Sequence, residues 1–268
     1  MARVRMLPVP MGRSVATAAA ALFLAAPAAG AVTVGQGDAV VVNGSECTVG
    51  FNGERESFTA AHCGTSGDRV RKVLDDGTWS PAIGTLDTSP RSEETTNDWA
   101  RIRWDAGVEL GPNEYTGDAQ IPLDDIRRGE TVCYYGWATG AATCGTYYAR
   151  VGNSFLVDVE PGAPGDSGGP MWIPGRGFVG VHSASLEGRD NLTGRTKAFT
   201  LGATTADGGP IRDAIIDVFV SYFSDDAQAG APKPPPPEPA GSSDSWLRAV
   251  FSGALQLLLA VLSLIFNG

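Results

Sequence analysis

The stretch PGAPGDSGGP, Pro161 to Pro170, sets a serine, Ser167, in a glycine-rich turn. A serine hydroxyl is a hydrolytic nucleophile only when a base takes its proton and a third group orients that base. It also needs backbone N–H donors aimed at the developing oxyanion. Gly165 can supply such a donor, because a residue without a side chain can turn its N–H toward the point that the Ser167 N–H faces. Gly168 and Gly169 give the turn a tight exit. The base must be a histidine, and the chain contains two, His62 and His182. His62 stands in FTAAHCG, and NDWARIRW places Asp98 between it and the serine in sequence. The bland alternative is a satisfied core histidine beside an unrelated serine loop.

These residues need rigid elements to hold them. DAVVV, CTVGF, RVRKVL, WARIRW, TVCYYGW, YYARVG, FLVDV and GFVGVH are short runs rich in Val, Tyr, Phe and Trp, separated mostly by Gly, Asn, Asp or Pro. That spacing predicts an all-β sandwich or barrel. GPIRDAIIDVFVSYFSDD then changes period. Ile211, Ala214, Ile215, Val218 and Tyr222 fall on one helical face, with Pro210 near its start.

TAAHC, then Asp98, then GDSGGP keep the order His, Asp, Ser, and the set resembles the chymotrypsin-like serine peptidase family. GDAVVVNGSECTVGF resembles the N-terminal strand region of its streptogrisin and alpha-lytic protease branch, and VCYYGWATGAATCG resembles that branch's disulfide hairpin. The resemblance runs from Val34 to Ser224. It implies two six-stranded antiparallel β-barrels with the active site between them, followed by a C-terminal α-helix. It also implies the disulfides Cys47–Cys63 and Cys133–Cys144. In the implied roles His62 is general base and then general acid, Asp98 holds its tautomer, and Ser167 attacks the carbonyl. Gly165 and Ser167 give the oxyanion-hole N–H groups, and Ser183 in GVHSAS supports the aspartate.

Two departures from the family pattern matter. Asp166, before the nucleophile, needs a partner, and where the alpha-lytic branch has an arginine this chain has Tyr134. Tyr134, another arginine or backbone groups are the candidates. In the primary pocket Pro161 stands where trypsin-like members carry an acid, which argues against cleavage after Arg or Lys. His182 and Ser185 in VHSAS resemble the carboxylate-binding pair of glutamyl endopeptidases, and Lys197 in GRTKAF adds positive potential. The sequence therefore leads to a serine endopeptidase preferring Glu or Asp before the scissile bond. The alternatives are a small or apolar pocket, or an inert protease fold used as a binding module.

The ends of the chain carry other signals. Residues 1–31 combine Arg3, Arg5 and Arg13 with an apolar run ending in Ala29-Gly30-Ala31, the pattern of a secretory signal peptide. In an exported chain four cysteines without C-x-x-C spacing read as disulfides rather than a zinc site. The net charge of −10 becomes −13 once the signal's three arginines are removed, which excludes nucleic acid as a partner by repulsion of phosphate. The protease domain spans 32–224, and 225–245 is a Pro-rich linker in extended polyproline geometry. Residues 246–268 form a hydrophobic helix, with Trp246 and Arg248 at the interface and an apolar length of ~27–30 Å. Such a segment is a membrane anchor or, through its small and polar stripe, an oligomerising helix. The expected partners are protein or peptide substrates at the cell surface, and the chemistry requires no metal or cofactor.

Overall fold

The computed structural model describes residues 32–92 and 96–229. The expected signal peptide and hydrophobic tail lie outside these residues, as does the linker beyond residue 229. The first half of the chain forms β1 (Val32–Val34), β2 (Ala39–Val42), β3 (Ser45–Thr48), β4 (Phe51–Asn52), β5 (Glu56–Thr59), β6 (Arg69–Lys72), β7 (Gly84–Thr88), β8 (Ala100–Trp104) and β9 (Val108–Leu110). The second half forms β10 (Thr131–Gly136), β11 (Ala141–Val151), β12 (Ser154–Asp158), β13 (Pro170–Ile173), β14 (Gly177–Arg189) and β15 (Thr196–Ala203), then α1 (Arg212–Ala229).

The second half closes as expected, into an antiparallel barrel ordered β10-β11-β12-β15-β14-β13. The first half departs from the expected six-stranded closed barrel. It is a seven-stranded sheet, β3-β2-β6-β7-β8-β5-β4, accompanied by a parallel β1–β9 pair. The cause lies at Val49 and Gly50, between the sheet's two edge strands. There the Val49 N–H goes to Asp38 O at 2.9 Å and the Gly50 N–H to Phe58 O at 2.8 Å, so one chain segment leaves the β2 ladder and joins the β5 ladder. The sheet curls because its first and last strands are successive stretches of that segment. A Cβ on Gly50 would lie 2.4 Å from Gly168 O, so this bend is also where the two halves press together.

Each half has its own core. Val40, Val42, Val49, Val70, Leu86 and Ile102 pack inside the first sheet, and Tyr134, Phe155, Val157, Met171 and Val179 fill the barrel. Ile211, Ile215 and Phe219 seat α1 against Phe199 and Leu201 on the barrel's outer face. Burial of each such side chain contributes roughly 1.5–3 kcal/mol, an upper figure because the unfolded chain already hides some of this surface. The helix runs through 225–229, past the expected domain end at residue 224. The stretch there includes Ala227, Gln228 and Ala229, good helix formers, and the first glycine beyond them is Gly230. Among the described residues no helix is long and apolar enough to cross a membrane.

Candidate active site

His62 lies in a short 3-10 turn, Ala61–Cys63, whose neighbours Ala61 and Cys63 are buried. The Cys47–Cys63 disulfide ties that turn to β3, and Cys133–Cys144 links β10 to β11, so both expected pairings are present. The imidazole itself is 39% exposed, whereas Asp98 is 2% exposed. Asp98 holds the histidine twice: its Oδ1 accepts the His62 backbone N–H at 2.9 Å, and its Oδ2 lies 2.7 Å from Nδ1. The same Oδ2 accepts the Ser183 hydroxyl at 2.6 Å. Burial pulls the His62 pKa down, but the hydrogen bond and charge of Asp98 outweigh it and leave the pKa above its ordinary value.

The turn carrying Ser167 is built from close approaches. A Cβ on Gly168, whose φ is 85°, would fall 2.6 Å from Thr48 O and 2.8 Å from Ala60 N, which brings the turn within two residues of His62. Ser167 O accepts Thr48 N–H at 2.8 Å, and Gly165 O accepts the Thr48 hydroxyl at 2.8 Å. The N–H groups of Asp166, Gly168 and Gly169 donate to Ala163, His182 and Asp166 carbonyls. Among the described hydrogen bonds, those of Gly165 and Ser167 have no acceptor, and the Ser167 hydroxyl is not engaged either. Gly165 reaches this orientation with a φ of 103°, a region that favours glycine.

Asp166 is fully buried, and its partners are neither Tyr134 nor an arginine. Its Oδ1 accepts the Thr139 N–H at 2.9 Å, while Oδ2 accepts the Ala163 N–H at 2.8 Å and the Thr139 hydroxyl. The tyrosine instead donates to Glu160 O at 3.1 Å. Sequence reasoning missed Thr139. Its signal was faint: Gly136 and Gly140 bracket it in GWATG, and a Cβ on Gly136 would sit 2.0 Å from Asp166 Cγ.

The pocket residues divide. His182 pairs with Gly202 and Ser185 with Thr200, so on the strand period of two they share the barrel's inner face. His182 is 3% exposed, both its ring nitrogens lack a hydrogen-bond partner, and its ring lies 5.2 Å from that of Tyr134. Burial drives its pKa down to about 4, against the opposing pull of Asp166, so the ring is neutral at pH 7. The Thr200 hydroxyl, also fully buried and unpartnered, is a second residue that sequence reasoning did not single out. A Cβ on Gly162 would lie 2.7 Å from His182 Nε2 and 3.1 Å from Asp166 Oδ2, so the backbone passes close to both. Pro161 is exposed.

Lys197 is a correction, because the structure does not bring it to this group. It pairs with Gly188, five residues along β15 from the Gly202 that faces His182, or about 16 Å. Odd-numbered Lys197, Phe199 and Leu201 face outward, and Lys197 binds Asp158 and lies 5.1 Å over the Phe199 ring. Its charge is spent there.

The fold is mostly β and chymotrypsin-like, with one closed barrel, one curled sheet and a terminal helix, and it brings the turn that carries Ser167 against Thr48 and Ala60, two residues before His62. A family model described as Trypsin matches residues 26–201, well over half of the chain. The chain belongs to the trypsin family of serine proteases, and it is a serine endopeptidase. A sequence comparison with curated proteins finds no match. Among solved structures the chain is similar to kallikrein-related peptidase 10 in complex with Zn2+, at 15% identity over 72% of this chain and 94% of that one, with a TM-score of 0.44. It is also similar to neuropsin, a serine protease expressed in the limbic system of mouse brain, at 15% identity over 72% and 95%, with a TM-score of 0.45. The family assignment rests on the sequence match alone, which distinguishes neither a branch of the family nor a pocket preference.

Proposed function

We propose that Ser167, His62 and Asp98 are the catalytic triad of this endopeptidase. The observation that carries the reading is the doubly bonded His62–Asp98 pair together with a turn, packed against Ala60 two residues before His62, whose Gly165 and Ser167 N–H groups have no acceptor among the described hydrogen bonds. Ser167 Oγ attacks the substrate carbonyl carbon as its proton passes to His62 Nε2. The oxyanion forms against the two N–H groups, and His62 returns the proton to the leaving amine. Water then repeats the sequence on the acyl-enzyme. The buried carboxylate of Asp98 keeps the Nδ1 proton in place and stabilises the imidazolium. The Cys133–Cys144 hairpin supports the streptogrisin branch within the family. Two disulfides suit an oxidising compartment, so export through residues 1–31 and anchoring by 246–268 belong to the same reading.

For the primary pocket we infer a preference for Glu or Asp before the scissile bond. His182 and Thr200 together bury three polar atoms without partners, an arrangement that costs free energy unless a ligand fills the need. A carboxylate entering beside His182 would draw a proton onto the ring and form an ion pair. The rival reading, a small or apolar pocket, is favoured by the commitment of Lys197 to Asp158 and by the neutrality of His182. Peptides differing only in the residue before the scissile bond decide between them, with Ser167→Ala as control. The acid reading expects kcat/KM for Glu to exceed that for Phe by about 100-fold or more, a preference removed by His182→Leu. Preferential cleavage after Ala, Leu or Phe contradicts it.

A further inference from the structure

Asp98 precedes β8 of the first sheet, yet all but one of the side-chain hydrogen bonds that hold its two neighbours are made with the second half of the chain. Asn97 has a φ of 52°, in the left-handed region. Asn43, the other non-glycine residue with positive φ among those described, needs it for the two-residue Asn43–Gly44 hairpin between β2 and β3. Asn97 lies in a turn that leads into Asp98 rather than in a two-residue hairpin of that kind, and a left-handed non-glycine residue persists where the surroundings over-determine it. Here they do. Asn97 Oδ1 accepts the Gly208 N–H at 2.6 Å and the Asn153 amide at 2.9 Å. Its Nδ2 donates to Arg91 O at 3.0 Å and Gly208 O at 3.2 Å.

The residue on the other side is held too. Trp99 Nε1 donates to Asp207 Oδ1 at 3.1 Å, and the same oxygen accepts the Ser89 hydroxyl at 2.5 Å. Trp99 N–H donates to Asn97 O at 2.8 Å, closing the backbone around Asp98. Asp207 and Gly208 lie on the loop 204–209 that leaves β15, and Asn153 is the turn residue between β11 and β12. These two pieces brace one another. The Thr204 N–H and hydroxyl both donate to Asn153 O, at 3.2 and 2.7 Å, and Asn153 Nδ2 donates to Ala206 O.

We propose that the 204–209 loop and Asn153 form a clamp between the two halves that sets the position of Asp98, with Asn97 and Asp207 as positioning residues for the His62–Asp98 pair. The proposal rests on the triad reading above. One carboxylate meets three donors, two from His62 and one from Ser183, so a shift of either neighbour misaligns all three. The barrel that carries Ser167 thus also fixes the residue that orients its base. Nucleophile and base are held in one frame although they lie on different halves.

The test uses the full chain as wild type, Asp207→Ala, Asp207→Asn, Asn97→Gly and Ser167→Ala. It reads kcat and KM on one peptide, the downfield NMR signal of the His62 Nδ1 proton, and the melting curve. Asn97→Gly keeps the left-handed backbone without steric penalty while deleting the four side-chain bonds. Asp207→Ala and Asn97→Gly are expected to lower kcat about 10- to 100-fold, to leave KM within about twofold, and to shift or broaden the Nδ1 proton. Asp207→Asn keeps the acceptor oxygen for Trp99 and Ser89 and is expected to restore most of kcat. The proposal is overturned if the folded alanine and glycine variants keep wild-type kcat and an unchanged Nδ1 signal. It is also overturned if Asp207→Asn is as impaired as Asp207→Ala, which would make charge rather than position the cause. Failure of the triad reading looks different: Ser167→Ala would still turn over substrate, and the Nδ1 signal would still decide the clamp.

Discussion

His62 and His182 are one side chain in two electrostatic settings. Both are pulled toward neutrality by burial, but Asp98 bonds to His62 directly, whereas Asp166 acts on His182 only through space and loses to desolvation. The consequence for stability has a definite sign. With its pKa at about 4 in the folded chain and 6.5 ordinarily, His182 binds fewer protons folded than unfolded between those values. Stability must therefore fall as pH falls from 6.5 toward 4 and be fully present above 6.5. A His182→Gln variant, which has no proton to gain, is expected to lose less of its melting temperature over that interval than wild type. Parallel curves for the two chains would contradict the assignment. The histidine's place in VHSAS was legible in the sequence, but its lack of a hydrogen-bond partner was not, because burial and pairing are set by strands distant in the chain.

At the scale of elements, the turn that carries Ser167 is braced by the β10–β11 hairpin. Asp166 is a buried carboxylate satisfied by neutral donors, two of them from Thr139 at the hairpin tip. Thr139→Val removes one donor to a buried charge, which should cost about 1.5–3 kcal/mol and disorganise the Gly165–Ser167 N–H pair. Denaturant unfolding should show that loss, with kcat about tenfold lower and Thr139→Ser largely normal. Unchanged stability and kcat in Thr139→Val would mean that other groups hold Asp166. The sequence signalled β2, β6, β8, β10, β12 and α1 through Val-rich or aromatic runs and a helical apolar face. It hid β5 and β7, because ESFT and GTLDT carry one large apolar residue each and owe their strands to pairing on both sides. The open edge of the first sheet was hidden for a related reason: CTVGF reads as one strand, and only the neighbours of Val49 and Gly50 divide it.

For the whole molecule, the two halves meet around the turn that carries Ser167 and around Asp98. Thr48 of β3 binds Ser167 O and Gly165 O and accepts the Trp137 N–H at 3.0 Å, Ser183 of β14 binds Asp98, and Gly50 packs on Gly168. The order His, Asp, Ser was visible as three short motifs. That the turn carrying Ser167 comes to lie against Ala60, two residues before His62, follows from contacts between the two halves at Thr48, Gly50 and Gly168, which no local pattern encodes. The central claim is that this assembly makes Ser167 a nucleophile. It is tested most directly by treating the folded full chain with a phosphonofluoridate and measuring intact mass and the modified peptide. The account predicts a single adduct on Ser167, absent from Ser167→Ala and greatly slowed in His62→Ala. A folded chain that takes up no reagent, or takes it up on another residue, would contradict it.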